Sequence, residues 1–445
     1  MTVGRVVIVG AGQAGGWAAR TLREEGYQGS IVLIGDEAHA PYERPPLSKE
    51  ILLGASAPEQ LTLVPEEELL SLQVEARFGV RVSRIDRERK RVFLASVQQL
   101  AGLGGAMDGG GDAEPLDYDA LVLCTGGRAR CLPIEGSGDE RVHTLRTLDD
   151  ALRLRAALTG APGPVLVIGG GWIGLEVAAS ARQLGCEVTL VECADRLCQR
   201  SVAPDVSMAL LNLHAANGVQ VMLGAGVSAL SACPADGRPA HSREAREEAG
   251  PAVLEATLTN GQSLHVAHVV MAAGLVSNDE QAAEAGLVCR NGIVVDDRCR
   301  SSDPAIYAAG DVAVTETAVD GVHMRLESWQ NAQDQGMAAA RAILGKDVNY
   351  RPTPLLWSQQ FDQFIQIAGY VNDAVLTAIR ELPGGGSIRF YLDGEETVCG
   401  AIGMNAGRDW RFARQLAERR QRVSPAALAD LGQTLKTLAA AVAEA

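Results

Sequence analysis

Blocks of apolar and polar positions repeat the same pattern twice along the chain. Each copy has an apolar run, a glycine-rich turn, a stretch of helix-forming residues, a glycine and a second apolar run. These segments lie at 5–9, 10–15, 17–25, 26 and 31–34 in the first copy, and at 165–168, 169–174, 175–184, 185 and 188–191 in the second. A buried strand, a turn, a helix and a second strand have this pattern, so the sequence predicts two βαβ units about 160 residues apart.

Three further apolar runs end in glycine or in a polar residue. They are 121–124 before Thr125-Gly126-Gly127, 269–273 before Gly274, and 306–309 before Gly310-Asp311. Because open α/β sheets bind ligands beyond the carboxyl ends of their strands, we expect these endings to border the ligand sites.

The pattern changes from residue 352 onward. Apolar positions alternate at 364–368, 388–391 and 398–402, which predicts an antiparallel sheet. Ser424 and Pro425 begin a predicted helix. The apolar face of this helix consists of Leu428, Leu431, Leu435, Leu438 and Val442. Two other stretches, 99–115 and 232–252, are glycine-rich or polar and are interpreted as inserted surface hairpin loops.

The predicted fold is α/β, with two Rossmann-like nucleotide-binding domains and a C-terminal α+β domain. A chain of 445 residues exceeds one ordinary hydrophobic core, which supports several domains. The second nucleotide-binding domain is expected to be inserted into the first. The predicted limits are 1–130 and 280–325 for the first domain, 131–279 for the second and 326–445 for the C-terminal domain.

Composition and charge narrow the classes of function. The net charge of −15 argues against nonspecific nucleic-acid binding, which needs a positive surface. No apolar run reaches the roughly 18 residues of a membrane span, and no signal-peptide pattern is present. We therefore expect a cytoplasmic protein with no membrane partner. The nine cysteines lack metal-site and C-x-x-C spacing, so unpaired thiols and no metal site are expected.

Both glycine turns have the pattern G-x-G-x-x-G between a strand and a helix. The first glycine permits the turn, the second lets backbone amides approach a pyrophosphate, and the third lets the helix pack on the strand. An acidic residue after the next strand is expected to bind the ribose, and it is Asp36 in the first unit and Glu192 in the second. Because a carboxylate repels a 2′-phosphate, the second site is predicted to take NADH rather than NADPH.

Two nucleotide sites without a metal suggest a flavin that accepts a hydride from a nicotinamide. Together with the glycine turns, segments 125–130 and 307–311 resemble FAD/NAD-linked reductases of the glutathione-reductase structural class. The string Pro-Tyr-Glu-Arg-Pro-Pro-Leu-Ser-Lys at 41–49, with 327–332 and 357–361, is similar to a narrower group. These are the ferredoxin reductases that serve Rieske-type aromatic-ring dioxygenases and cytochrome P450 systems. The resemblance extends to about residue 405.

The resemblance implies an activity and a set of site residues. NADH would reduce non-covalently bound FAD, which would pass electrons to a [2Fe–2S] ferredoxin and so indirectly to a terminal oxygenase. The implied FAD contacts are Gly10, Gly12, Ala14, Gly15, Asp36, Arg44, Val82, Arg130 and Asp311. The implied NAD contacts are Gly169, Gly171, Ile173, Gly174 and Glu192. Lys49 would sit at the reactive edge of the flavin, Trp329 would close its pocket, and Glu176 would approach the nicotinamide. A candidate docking surface for the ferredoxin consists of Arg408, Arg411, Arg414, Arg419, Arg420 and Arg422; the alternative, which the charge pattern alone slightly favours, is an ordinary solvated helix face.

Other functions of the same fold give similar sequence patterns. A flavin disulfide or peroxide reductase needs a cysteine facing the flavin, and residues 37–60 contain none. A rubredoxin reductase or an NADH oxidase would carry the same FAD motifs and stays open. A non-enzyme alternative is an FAD-binding redox-sensing interaction protein.

Overall fold

The computed structural model describes residues 3–96, 114–233, 253–317, 319, 321–371 and 374–441. Most of the predicted insertions at 99–115 and 232–252 lie outside these residues. Internal contacts divide the chain into two units. The first unit consists of 1–43, 59–128 and 276–356, and the second of 44–58, 129–275 and 357–445.

The first unit is built on a five-stranded parallel sheet, which confirms the first predicted βαβ unit. Its strands in spatial order are Ile306–Ala308, Ala120–Leu123, Arg5–Val9, Ser30–Ile34 and Val74–Arg77. Val6, Val7 and Ile8 are fully buried at its centre, because both faces of a parallel sheet are covered. Two three-stranded sheets complete the unit. They are Val80–Asp86, Arg91–Ser96 and Glu114–Asp117, and Ile293–Val294, Ala313–Glu316 and His323–Arg325.

Two helices of the first unit pack closely against each other over the five-stranded parallel sheet. They are Gln13–Glu24, which follows the first glycine turn, and Trp329–Ile343. A Cβ atom at Gly336 would lie 2.4 Å from the Ala14 carbonyl oxygen, so only glycine permits this approach. The shorter helices of the unit are Glu66–Ser71 and Glu280–Glu284.

The second unit repeats the parallel-sheet architecture. Its strands in spatial order are Val219–Leu223, Val188–Glu192, Val165–Ile168, His268–Met271 and Val142–Thr144. A three-stranded antiparallel sheet adds Val227–Cys233, Val253–Leu258 and Ser263–Val266. The helices are Glu50–Leu53, Leu148–Gly160, Trp172–Gln183 and Pro204–Ala216, and Pro45–Ser48 forms a 3₁₀ turn. Two short strands, Gly127–Ala129 and Leu275–Ser277, lie where the chain passes from one unit to the other.

The predicted antiparallel sheet of the C-terminal region is confirmed, with two more strands than the sequence indicated. The strands in spatial order are Leu355–Gln360, Gln363–Gly369, Val398–Met404, Ser387–Leu392 and Leu376–Glu381. With the two parallel sheets, it confirms the predicted fold class.

The C-terminal helices differ from the sequence prediction. Helix Trp410–Glu418 packs on this sheet, and two short helices follow at Pro425–Ala429 and Leu435–Ala440. The single apolar face predicted from Leu428 onward is wrong, because the Asp430 carboxylate binds the Gly432 amide in a turn and Leu431 is 54% exposed. Val442 lies outside the described residues. Among the described residues, no helix has both the length and the apolarity to cross a membrane.

Candidate functional site

The first glycine turn joins strand Arg5–Val9 to helix Gln13–Glu24. Gly10 has a positive φ of 107°, and a Cβ there would lie 2.1 Å from the Cys124 carbonyl oxygen. A Cβ at Gly15 would lie 1.9 Å from the Gly10 oxygen, so the fold itself requires both glycines. Gly12 is the N-cap and offers no side-chain cap, and the first turn holds no acidic residue. The helix start therefore presents uncapped amides, which suit a phosphate group.

The second glycine turn has the same form and adds a distinguishing feature. A Cβ at Gly169 would lie 2.5 Å from the Ala272 oxygen, and one at Gly174 would lie 2.0 Å from the Gly169 oxygen. Gly171, the N-cap of helix Trp172–Gln183, has an ordinary φ of −84°, and a Cβ there would meet nothing within 4 Å. Neither backbone strain nor internal packing requires glycine at 171. The free space at the helix start fits a dinucleotide that approaches the backbone there.

The two predicted ribose-binding carboxylates are held differently. Glu192 ends strand Val188–Glu192, where its Oε2 accepts a hydrogen bond from the Gly170 amide at 2.6 Å and its Oε1 accepts one from the Ala194 amide at 2.8 Å. Asp36 lies two residues beyond strand Ser30–Ile34 and forms an exposed ion pair with Arg81 at 3.0 Å. Glu192 is therefore fixed beside its glycine turn, whereas Asp36 is held by a surface arginine.

A buried ion pair joins two predicted residues inside the second unit. Lys49 Nζ lies 2.8 Å from Glu176 Oε2, and the two residues are 8% and 5% exposed. Lys49 follows the Pro45–Ser48 turn, and Glu176 lies on the helix that the second glycine turn begins. Ser48 Oγ also donates to Glu176 Oε2, at 2.5 Å, and the Lys49 ammonium lies 5.1 Å from the centre of the Trp357 ring. The two opposite charges therefore form an ion pair that is largely shielded from solvent.

The other predicted residues fall into the two units. The first unit contains Ala14, Val82, Asp311 and Trp329, and the second contains Arg44, Arg130 and Ile173. Ala14 packs near Gly310, where a Cβ would lie 3.0 Å from the Ala14 Cβ. Val82 is 4% exposed within the core of its unit, whereas Ile173 is 47% exposed at the start of its helix.

The remaining predicted residues lie at loops and helix ends. Arg44 donates to the Arg146 carbonyl at 2.7 Å, and the Arg130 amide donates to the Gly274 carbonyl at 2.9 Å. Trp329 begins its helix, which Ser328 caps by accepting from the Asn331 amide. Asp311 follows Gly310, whose amide donates to the buried Gln335 side chain at 2.9 Å.

Sequence reasoning missed the polar partners of Glu176. Ser358 Oγ donates to Glu176 Oε1 at 2.7 Å, and Gln360 and His214 continue from Ser358. Ser358 and Gln360 belong to segment 357–361, whose sequence indicates only a family resemblance. No motif surrounds His214. The signal that could have found the pair is two polar side chains at alternate positions of a short strand.

Burial perturbs four of the cysteine thiols. All nine, which lie in the described residues, are unpaired. Burial raises the pKa of Cys124 to about 12 and that of Cys289 to about 11, and it also raises the pKa values of Cys198 and Cys299. These four thiols stay protonated at neutral pH, and the nucleophile of disulfide exchange is the thiolate.

Comparisons with known proteins cover nearly the whole chain. A family model described as pyridine nucleotide-disulphide oxidoreductase matches residues 4–336, and one described as reductase C-terminal matches 355–439. Rhodocoxin reductase of Rhodococcus erythropolis is 36% identical over 431 residues, which are 97% of this chain and 93% of that protein. The ferredoxin–NAD(+) reductase component of the anthranilate 1,2-dioxygenase system of Burkholderia cepacia is 37% identical over 98% of this chain and 100% of its own.

Solved structures agree. Putidaredoxin reductase in its covalent complex with putidaredoxin has a TM-score of 0.87 at 32% identity, over 99% of both chains. The ferredoxin reductase for the CYP199A2 system of Rhodopseudomonas palustris has a TM-score of 0.86 at 34% identity, over 98% of this chain and 100% of that one. The resemblance to ferredoxin reductases is confirmed, and the family implies the use of a flavin and NAD(H). The chain belongs to the pyridine nucleotide-disulphide oxidoreductase family.

Proposed function

We propose that the chain is an FAD-dependent NADH:ferredoxin reductase, which passes electrons from NADH through FAD to a [2Fe–2S] ferredoxin. The observation that carries this proposal is the second glycine turn, where Gly171 has no structural reason to be glycine and Glu192 is fixed beside it. Relatives named ferredoxin–NAD(+) reductase components match the chain over nearly its full length. We extend the proposal to the domain limits 1–130, 131–279, 280–325 and 326–445.

The choice of NADH follows from charge. A 2′-phosphate would meet the Glu192 carboxylate at the end of strand Val188–Glu192. Arg196, the nearest arginine in the sequence after Glu192, is already engaged. Its guanidinium donates to the Val202 carbonyl at 2.5 Å and to the Ser207 hydroxyl at 3.0 Å. It would have to break these bonds to compensate a phosphate.

The residues proposed to hold FAD begin with the first glycine turn. Gly10, Gly12, Ala14 and Gly15 would bind its pyrophosphate, and the dinucleotide would also contact Asp36, Arg44, Val82, Arg130 and Asp311. Bound FAD supplies the ability to accept two electrons together and release them singly. In this proposal Lys49 would provide a positive charge at the reactive edge of the flavin, and Trp329 would cover the pocket. Glu176 is the counter-ion of Lys49 and approaches the nicotinamide, which Gly169, Gly171, Ile173 and Gly174 help to bind.

The electron acceptor is proposed from the relatives' names and from surface charge. Relatives include reductase components of dioxygenase systems and a reductase of a CYP199A2 system, so the ferredoxin would supply an oxygenase of one of these kinds. On the candidate docking surface, Arg408, Arg411 and Arg422 are exposed. Arg414 and Arg420 form ion pairs with Glu418 and Asp393, which reduces the charge this surface offers.

The test is an anaerobic titration of the FAD-loaded protein with NADH, followed by oxidised [2Fe–2S] ferredoxin. Bleaching of the flavin by NADH and its recovery as the ferredoxin becomes reduced are the expected results. Recovery only with rubredoxin or oxygen would favour a rubredoxin reductase or NADH oxidase. A reduced flavin that persists with every acceptor would favour a redox-sensing protein. Failure of NADH to bleach the flavin would overturn the proposal.

A further inference from the structure

A chain of buried hydrogen bonds leads from Glu176 to His214 inside the second unit. Ser358 Oγ donates to Glu176 Oε1 at 2.7 Å, and Gln360 Nε2 donates to Ser358 Oγ at 3.1 Å. His214 Nε2 lies 3.0 Å from Gln360 Oε1. Ser358, Gln360 and His214 are each 0% exposed. Polar groups buried to this degree are costly unless they are hydrogen-bonded, so the chain holds these side chains in one arrangement.

The chemistry of the groups fixes the direction of the chain. The buried Lys49 ammonium needs an anionic partner, so Glu176 is a carboxylate and can only accept hydrogen bonds. Ser358 must therefore donate to Glu176, which leaves its oxygen lone pairs to accept from the Gln360 amide nitrogen. That orientation turns the Gln360 carbonyl oxygen toward His214, whose Nε2 must then carry the proton. Each donor in the chain points toward Glu176.

His214 suits the end of such a chain. It lies on helix Pro204–Ala216, and its ring packs edge-on against Phe361 with 5.3 Å between ring centroids. Its Nδ1 is buried and has no hydrogen-bond partner in the described structure. Burial lowers the pKa of His214, so the ring stays neutral at pH 7. A neutral ring with its proton on Nε2 is the donor that Gln360 requires.

We propose that Ser358, Gln360 and His214 are positioning residues, which fix the Glu176 carboxylate and through it the Lys49 ammonium in the arrangement used for flavin reduction. This inference rests on the proposed function. Ser48 and Lys49 donate to Glu176 Oε2, while Ser358, the first member of the hydrogen-bond chain, donates to Oε1. With both oxygens held, the carboxylate has a fixed orientation, and the Lys49 ammonium would be kept in one place to stabilise the negative charge that bound FAD would take up on reduction.

The first experiment compares two neighbouring glutamines. Gln360→Leu removes the hydrogen bonds that link Ser358 to His214. Gln359→Leu changes an exposed side chain of the same strand, Leu355–Gln360, and is the control. Stopped-flow absorbance follows bleaching of the FAD-loaded protein by NADH without oxygen. We expect the limiting rate constant to fall about tenfold in Q360L, while the NADH concentration at half-saturation changes less than about twofold. FAD content and Tm show whether Q360L is folded and loaded.

A second variant separates positioning from general destabilisation. Ser358→Ala removes one hydroxyl next to Glu176 and is measured in the same way if Q360L loses FAD. Because Gln360 acts through Ser358, the double variant S358A/Q360L should reduce flavin no more slowly than S358A alone. Losses that multiply in the double variant, or wild-type rates in folded, loaded single variants, would overturn the proposal.

The direction of the hydrogen bonds can be tested without measuring turnover, from the position of the proton on the His214 ring. In protein labelled with ¹⁵N-histidine, the ring signals of His214 are assigned by their loss in His214→Gln. We expect a protonated Nε2 and an unprotonated Nδ1 at pH 7, and loss of this preference in Q360L. A proton on Nδ1 would overturn the proposal. If NADH failed to bleach even the wild-type flavin, the proposed function would fall, and the ¹⁵N signals would still test the chain.

Discussion

Glu192 closes the second glycine turn by accepting a hydrogen bond from the Gly170 amide, with 2.6 Å between Oε2 and N. Its other oxygen accepts from the Ala194 amide, so backbone donors hold both oxygens. A Cβ at Gly170 would lie 3.1 Å from the Glu192 Cβ, which shows how closely the turn packs against this side chain. The carboxylate is thus fixed at the end of its strand, and its charge would face a nucleotide bound at this turn as proposed.

This arrangement predicts that Glu192→Gln weakens the preference for NADH. The amide keeps one acceptor for the turn but loses the negative charge that repels a 2′-phosphate. We expect the ratio of kcat/KM for NADH to that for NADPH to fall about tenfold, a difference of about 1.4 kcal/mol. Glu187→Gln, an exposed change just before the same strand, should leave the ratio unchanged. A wild-type ratio in E192Q would contradict the role assigned to the carboxylate.

Alanine substitutions at Gly171 and Gly174 should distinguish a glycine that NADH binding requires from one that the stability of the fold requires. Gly171→Ala meets no atom within 4 Å and has an allowed φ, so we expect its Tm to equal or slightly exceed that of the wild type. Its NADH affinity should fall about tenfold, because the methyl group fills the space for the pyrophosphate.

The controls for this prediction are two other glycines. Gly174→Ala places a Cβ 2.0 Å from the Gly169 oxygen, and we expect it to lower the Tm. Gly138→Ala, at an exposed site with nothing within 4 Å, should change neither the Tm nor the NADH affinity. Isothermal titration with NADH and thermal unfolding distinguish these cases. Unchanged NADH affinity in G171A would mean that the second turn binds no dinucleotide.

The nucleotide-binding sheets could be predicted from the sequence because their strands are continuous apolar runs bounded by glycines. Val165–Ile168, for example, matches its predicted limits and is buried along its whole length. Strand Leu355–Gln360 was missed for the opposite reason. It buries the polar Ser358 and Gln360 and exposes Trp357 by 38%, which inverts the usual alternation. Its burial pattern follows from the hydrogen bonds to Glu176 and His214, two residues that lie far from this strand in the sequence.

Contacts in the site between residues that are distant in the sequence could not be predicted from the sequence either. Lys49 and Glu176 were both predicted as site residues, but separately, since 127 positions part them. Only the packing of helix Trp172–Gln183 against the Pro45–Ser48 turn brings the two charges to 2.8 Å. The roles assigned to the nucleotide-binding residues stay predictions, which measurements of FAD and NADH binding test.

The lowered pKa of His143 predicts that the protein loses stability in acid. Its ring lies 5.5 Å from that of His268, and burial together with this neighbour and Arg153 lowers its pKa to about 4. The unfolded chain therefore binds a proton more readily than the folded one between pH 6.5 and about 4. Stability is present above pH 6.5 and is lost as the pH falls through this window, by about 1 kcal/mol once solvent screening of the partly exposed ring is allowed for.

His143→Phe should make the fall in Tm between pH 7 and pH 5 shallower, because the ring no longer titrates. His265→Phe, at an exposed position of strand Ser263–Val266, is the matched control and should retain the wild-type slope. Parallel Tm curves for H143F and the wild type would show that other groups govern the acid transition.

Charge on the candidate docking surface should appear as a dependence on ionic strength. Arg408, Arg411 and Arg422 are exposed, and an acidic ferredoxin would be drawn to them over roughly a Debye length of 10 Å at 0.1 M salt. We expect kcat/KM for the ferredoxin to fall as salt rises, while turnover with a small neutral quinone stays constant. Changing all three arginines to glutamine should lower kcat/KM at low salt about tenfold and flatten its salt dependence. Arg414→Gln should have a smaller effect, because Glu418 already neutralises that side chain at 2.7 Å. An equal salt dependence for both acceptors would contradict electrostatic docking of the ferredoxin on these arginines.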